Sequence, residues 1–372
     1  MNKINLLLNN KTPVFLSLKE ICKITRGKRI TKKSLDEKGK YPVISGGKNI
    51  FGFTNEFNRN ENTITVAQYG TAGFVNWQNE KFWANDVCYS LIPNTNLINN
   101  RFLYHYLLNI QNFIYSIINK EAVPYHLKQN DLEKIKIPIL SIEHQQKITE
   151  ILDKFLELTK ELAAKLRAEL ALRKQQYQHY LNKIFNFENV KYRNLKEIVK
   201  IKRGKRITKK DLNPNGKYLV ISGGANPFGR YDQFNCPKNT ITIAKYGTAG
   251  YINWQTEEFW ANDVCYSLFS TSEIKNRFLY YYLISIQDWI YLLVNKQAIP
   301  AHLEQTELEN IEIPVPSLEK QNQIVNILDT FTTLIEDLEQ GIPAEINLRQ
   351  QQYEYYRNLL LTFKTEDEID EI

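Results

Sequence analysis

The chain repeats itself over nearly its whole length. RGKRITKK at residues 26–33 returns unchanged at 203–210. ISGG (from Ile44 and Ile221), YGTAG (Tyr69 and Tyr246) and FWANDVCYSL (Phe82 and Phe259) keep the same 177-residue offset. Beyond them the offset is 176, in RFLY (Arg101, Arg277), AVPYHL against AIPAHL (Ala122, Ala298), ILD (Ile151, Ile327) and LRKQQYQHY against LRQQQYEYY (Leu172, Leu348). Solenoid repeats are far shorter, so this is a tandem duplication at the scale of domains. One copy starts near Leu18, the other near Leu195, and the second ends near Leu361. A chain so duplicated does alone what a homodimer does with two, and a pseudo-two-fold tandem repeat is expected.

Inside each copy the pattern changes once. The first part mixes short β-type runs (YPVIS, NTITVAQYG, FVNW, VCYSLI) with Gly and Asn turns and one tyrosine-rich helical stretch, RFLYHYLLNIQNFIYSII. This predicts α/β (α+β) globular domains over 1–141 and 187–317. The remainder, 142–186 and 318–362, is helical. Ile148, Ile151, Phe155, Leu158 and Leu162, then Leu166, Leu170, Tyr177, Leu181 and Ile184, step by threes and fours. The second copy does the same at Ile324, Ile327, Phe331, Leu334, Leu338, Ile342, Ile346, Tyr353, Arg357 and Leu360. Such spacing predicts two long helices paired as an antiparallel coiled coil with a stutter. Each would be ~66 Å long at ~1.5 Å per residue. Ser141 and Ser317 are the expected N-caps. Gly341 and Pro343 predict a bend in the second helix. An acidic tail, 363–372, closes the sequence.

Charge follows the duplication. The formal net charge is +7, with nineteen basic against ten acidic residues in 1–142 and seventeen against thirteen in 187–317. Two basic blocks suit a polyanionic partner. No run reaches the ~18 apolar residues of a membrane helix, and the N-terminus lacks a signal-peptide pattern, so a cytoplasmic protein with no membrane contact is expected. Cys22, Cys88, Cys236 and Cys265 lie far apart with no metal-ligand spacing. They predict reduced, structural thiols.

No enzymatic motif emerges. There is no GxxxxGK followed by Ser or Thr for nucleotide phosphates. Asn226-Pro227-Phe228 approaches the NPPY/NPPF motif of amino-methyltransferases, but its counterpart is Asn49-Ile50-Phe51 and no methyl-donor loop precedes it. His126 and His302 recur in a Pro-x-His-Leu turn without a paired nucleophile or acid. The expectation is a chain without catalytic residues, metal or cofactor.

The ordered set of ISGG with N-x-F-G, the strand and turn around YGTAG, FWANDVCYSL, and the junctions HLKQNDLEKIKIPILSIEHQQKI (from His126) and HLEQTELENIEIPVPSLEKQNQI (from His302) resembles the specificity subunit of Type I restriction-modification enzymes. The resemblance covers residues 14–362. It implies two target-recognition domains (1–141 and 187–317) alternating with two conserved helices (142–186 and 318–362). It further implies double-stranded DNA as ligand, with two methyltransferase (modification) subunits docked and restriction subunits joining through them. Each recognition domain would read half of a split target while the helices set the gap. Because the domains are so alike, a near-palindromic interrupted target is expected.

Candidate phosphate contacts are Arg26, Lys28, Arg29, Lys32 and Lys33, with Arg203, Lys205, Arg206, Lys209 and Lys210. Such contacts position a protein without reading bases. Candidate base readers lie on the glycine-rich segments: Lys48 and Asn49 against Ala225 and Asn226, and Gln68 and Tyr69 against Lys245 and Tyr246. Gln suits adenine and Lys suits guanine, so the Gln68/Lys245 difference is a candidate for distinguishing half-sites. Trp77, Trp83, Trp254 and Trp260 fit core aromatics better than base-stacking platforms. Rival readings are a coiled-coil nucleic-acid-binding scaffold unrelated to restriction, and a methyltransferase with embedded recognition domains.

Overall fold

The short β-branched runs become strands, and burial of their apolar residues sets the sheets. The computed structural model describes residues 13–363. In the N-terminal domain Val14–Ser17 (β1) pairs antiparallel with Lys136–Ile139 (β9). Cys22–Arg26 (β2), Cys88–Pro93 (β8), Thr63–Ala67 (β5) and Val75–Gln78 (β6) form a four-stranded antiparallel sheet in the order β2-β8-β5-β6. Tyr41–Ile44 (β3) lies between Gly52–Thr54 (β4), antiparallel, and Trp83–Ala84 (β7), parallel. The second domain repeats these sheets strand for strand, with Thr240–Ala244 central in one and Tyr218–Ile221 in the other.

The tyrosine-rich stretch forms two helices rather than one, Asn100–Asn109 and Gln111–Ser116. The chain leaves helical geometry at Ile110, and the Gln111 amide accepts from Val75 N and donates to Gly73 O. That pins the second helix to the edge of the sheet.

Two compact units emerge, and the division falls inside the long helices. One unit runs to Lys165 and resumes at Pro343; the other is Leu166–Ile342. In the first unit, Ile64, Leu91, Phe102 and Leu107 share a core with Ile148 and Leu152 of the first long helix and with Tyr353, Leu360 and Leu361 of the second. In the second unit, Ile241, Leu268 and Phe278 share a core with Leu181 and Phe185, and with Ile324 and Leu328. Each globular domain is thus built on one half of each helix, and full burial of such a side chain contributes about 1.5–3 kcal/mol.

The helices span Ile142–Ile184 and Leu318–Leu361. Ser141 Oγ accepts from His144 N and Ser317 Oγ from Lys320 N, as N-caps should. Within the first unit Phe155 stacks on Tyr356 at 4.9 Å, while Leu162 and Lys165 share a pocket with Arg349 and Gln352. Within the second, Tyr180 meets Phe331 and Lys174 pairs with Glu339 at 2.6 Å. In both, higher numbers on one helix meet lower numbers on the other, so the strands of the pair run antiparallel.

The second helix continues through Gly341 and Pro343 as one helical element. One lost rung of the hydrogen-bond ladder is tolerated because packed residues hold the helix on both sides. The seam differs from expectation in one detail, shifting by one position at its start: Leu158, Ile327 and Leu334 are about half exposed, whereas Leu152 and Leu328 are fully buried. Leu152 and Leu328 enter the domain cores, which the last turns of the partner helix also join.

The junction motif has a physical reason. Gln145 and Gln321 are completely buried. Gln145 accepts from Asn99 N and donates to Leu97 O and Leu140 O; Gln321 does the same with Lys275 N, Glu273 O and Pro316 O. Each glutamine locks a long helix to its domain. Nearby, Arg101 stacks on Trp77 and Tyr104 and pairs with Asp153, and Arg277 stacks on Trp254 and Tyr280 and pairs with Asp329. These tryptophans serve the fold.

Candidate nucleic-acid interface

The basic octapeptide is a loop held by its backbone. In the first unit Gly27 N donates to Cys88 O, Lys28 N to Ala84 O, and Trp83 Nε1 to Lys28 O. A Cβ on Gly27 would lie 2.2 Å from both Ala84 O and Asn85 O, so only glycine lets the loop come this close. Asn85, 5% exposed, accepts from Ile30 N and donates to Ile30 O and to Ser45 Oγ. In the second unit Lys205 N donates to Ala261 O, Trp260 Nε1 to Lys205 O, and Asn262 exchanges two hydrogen bonds with Ile207. RGKRI and FWAN therefore recur together because each is the other's binding partner.

With the backbone fastened, the cationic side chains face outward. Lys28, Arg29, Lys32 and Lys33 are exposed, as are Lys205, Arg206, Lys209 and Lys210, and none has an ion-pair partner among the described residues. Unpaired surface cations on a rigid loop are suited to phosphate oxygens.

The glycine-rich segments sit against this loop. Gly46 O accepts from both Thr71 N and Thr71 Oγ1, and Gly223 O from Thr248 in the same way. Gly70 and Gly247 have φ of 73° and 74°, the left-handed region that favours glycine. Lys48 and Asn49 are exposed on the first loop, and Ala225 and Asn226 on the second. Lys48 Nζ lies 5.6 Å from the Phe74 ring centroid. Tyr69 packs on His126 and Tyr246 on His302, each at 5.5 Å. The His302 ring is satisfied by Pro300 O and Glu304.

Gln68 corrects the sequence-based assignment. It is only 4% exposed, and its Oε1 accepts from Arg26 Nη2 at 2.5 Å. A group so covered presents nothing to a base. The counterpart Lys245 is half-buried; its ammonium lies 5.3 Å from the Tyr246 ring centroid and 5.8 Å from that of Tyr266. Arg203, denied an amide acceptor, instead donates from Nε to Asp263 O at 2.6 Å, with Nη2 3.9 Å from Asp263 Oδ2. Burial raises the pKa of Tyr89 and Tyr266, so their hydroxyls stay protonated.

Three features escaped the sequence reading. Asn85 and Asn262 organise the loops, Asp263 captures Arg203, and the loops before His126 and His302 carry Val123 and Ile299 at 94% and 100% exposure. Retention in both copies was the signal for the asparagines and the exposed loops; Asp86 is retained too without pairing with Arg26, so nothing in the sequence marked the Asp263 contact.

The sequence matches the family described as "Type I restriction modification DNA specificity domain" over residues 10–172 and again over 187–348. The chain belongs to that family. A putative type I restriction enzyme specificity subunit of Haemophilus influenzae is 31% identical over 96% of this chain and 97% of its own length. A type I restriction enzyme specificity subunit of Escherichia coli is 28% identical over 98% and 97%. The crystal structure of a Type I restriction-modification S subunit from M. genitalium shares the fold, with a TM-score of 0.53 at 22% identity over 96% of this chain and 98% of that one. As in a specificity subunit, two recognition domains alternate with two long helices. Among the described residues no helix is long and apolar enough to cross a membrane, and no cluster of His, Cys, Asp or Glu could hold a metal ion.

Proposed function

We propose that this chain is the non-catalytic DNA reader of a Type I restriction-modification complex acting in the cytoplasm. Each unit binds one half of an interrupted, near-palindromic duplex target. The observation that carries this reading is the duplicated clamp: one chain holds two backbone-fastened loops, each presenting at least four unpaired cations. Lys28, Arg29, Lys32 and Lys33, with Lys205, Arg206, Lys209 and Lys210, grip phosphates. Lys48, Asn49, Tyr69, Asn226 and Tyr246 lie on the adjoining segments that face bases. The long helices dock two methyltransferase subunits, through which restriction subunits join; the exposed Leu158, Ile327 and Leu334 are the apolar groups available for that docking.

Co-expression with a Type I modification subunit, followed by genome-wide mapping of methylated sites, tests the proposal. A stable complex and a bipartite motif are expected. A complex that fails to form, or methylation without an interrupted motif, would refute it.

A further inference from the structure

The two recognition units are alike around one arginine, and differ there in the group that meets its guanidinium. Arg26 and Arg203 end equivalent strands, Tyr89 and Tyr266 donate to Leu127 O and Leu303 O, and Gln68 O and Lys245 O accept from Leu127 N and Leu303 N. Asp86 and Asp263 also correspond. Arg59, which donates to Arg26 O and Thr25 Oγ1, is replaced by Cys236 in the second unit, but the group offered to the guanidinium itself changes from Gln68 to Lys245, and the arginines part company. Arg26 is fixed by the neutral acceptor Gln68 Oε1, while Asp86 has no ion-pair partner among the described residues. Arg203 meets an ammonium at the same place, and the like charge turns it toward the carboxylate and carbonyl of Asp263.

We propose that Gln68 is a positioning residue that aims Arg26 at a base, and that Lys245 displaces Arg203 and becomes the donor in its place. This rests on the DNA-reading function proposed above. Chemically the exchange matters because a guanidinium can offer two parallel N–H groups to guanine O6 and N7, whereas an ammonium is a point donor. Arg26 retains donors beyond the Nη2–Gln68 bond. Arg203 has its Nε committed to Asp263 O and its charge partly offset. The half-site facing the first unit is therefore the more strictly specified at this position, and a target that is otherwise near-palindromic is asymmetric there.

The test uses the complex with a Type I modification subunit and reads the methylated motif. Gln68→Met removes the acceptor while keeping shape, and should relax one base pair in one half-site, lowering the preference roughly ten- to hundred-fold. Gln68→Glu restores an acceptor for Arg26 and should restore that base, which it could not do if the Gln68 amide itself read the base. Lys245→Gln should tighten the matching base pair in the other half-site and make the motif more symmetric. Uniformly lower methylation with both half-sites unchanged would reduce Gln68 to a structural role and overturn the proposal. So would a motif changed by Gln68→Met but not restored by Gln68→Glu. A wild-type complex with no bipartite motif would instead remove the functional reading on which the proposal stands.

Discussion

Asn262→Ala tests whether the basic loop is held by the FWAN segment. Asn262 Oδ1 accepts from Ile207 N at 3.1 Å and from Asp263 N at 2.9 Å, and its Nδ2 donates to Ile207 O at 3.2 Å. Ile207 is 9% exposed, so water cannot readily replace the lost partners. Leaving a buried polar group unpaired costs about 1–3 kcal/mol, and two such groups on Ile207, neighbours that relax together and so add less than fully, put the loss at about 2–4 kcal/mol. If lifting the loop costs less, the chain lifts it instead. Either way, amide exchange at Lys205 and Ile207 should accelerate by roughly 30- to 1000-fold, since 1.4 kcal/mol is about tenfold. Hydrogen exchange reads the loop, and urea unfolding reads the second unit. Asn262→Asp keeps the acceptor but loses the donor, and should fall between. An alanine variant within about 0.5 kcal/mol of wild type, with unchanged exchange at Ile207, would refute the clamp.

Three further outcomes follow from burial and packing. His105 is fully buried between Asp153 and Tyr353, and burial lowers its pKa despite the Asp153 hydrogen bond. The unfolded chain therefore takes up a proton more readily, so the first unit loses stability as pH falls below the ordinary His value of about 6.5; His105→Tyr, copying Tyr281, should flatten the stability profile between about pH 7 and 5. Cys22, Cys88 and Cys265 are buried with pKa pushed up to about 12 by desolvation, so a thiol reagent should label them only after unfolding. Leu152→Ala empties a fully buried site in the first core and should lower its stability by about 2–5 kcal/mol in denaturant titrations.

The duplication, the strands and the helix caps were legible because they are local patterns. YPVI, TITVA and VNWQ carry the alternation or apolar density that strands need, and Ser141 and Ser317 sit one residue before helices. What sequence could not reveal depends on partners far along the chain. Gln68 is covered because Arg26, 42 residues away, reaches it. Asn85 and Asn262 look like turn residues inside an apolar motif until the loop they fasten is folded against them. Leu152 rather than Leu158 is buried because Leu152 enters the core of the first domain, and period alone does not say which neighbour a face meets. Pro343 sits within a continuous helix because packing overrides its local preference. The acidic tail, 363–372, lies almost wholly outside the described residues.

The most direct test of two recognition units on one chain is a footprint of the assembled complex on its methylated target. Two protected segments on one duplex are expected. Replacing Lys28, Arg29, Lys32 and Lys33 with alanine should weaken one segment, and replacing Lys205, Arg206, Lys209 and Lys210 should weaken the other, each flattening the salt dependence by about 0.9 per lost phosphate contact. A single protected segment, or two segments that both sets of substitutions leave intact, would contradict it.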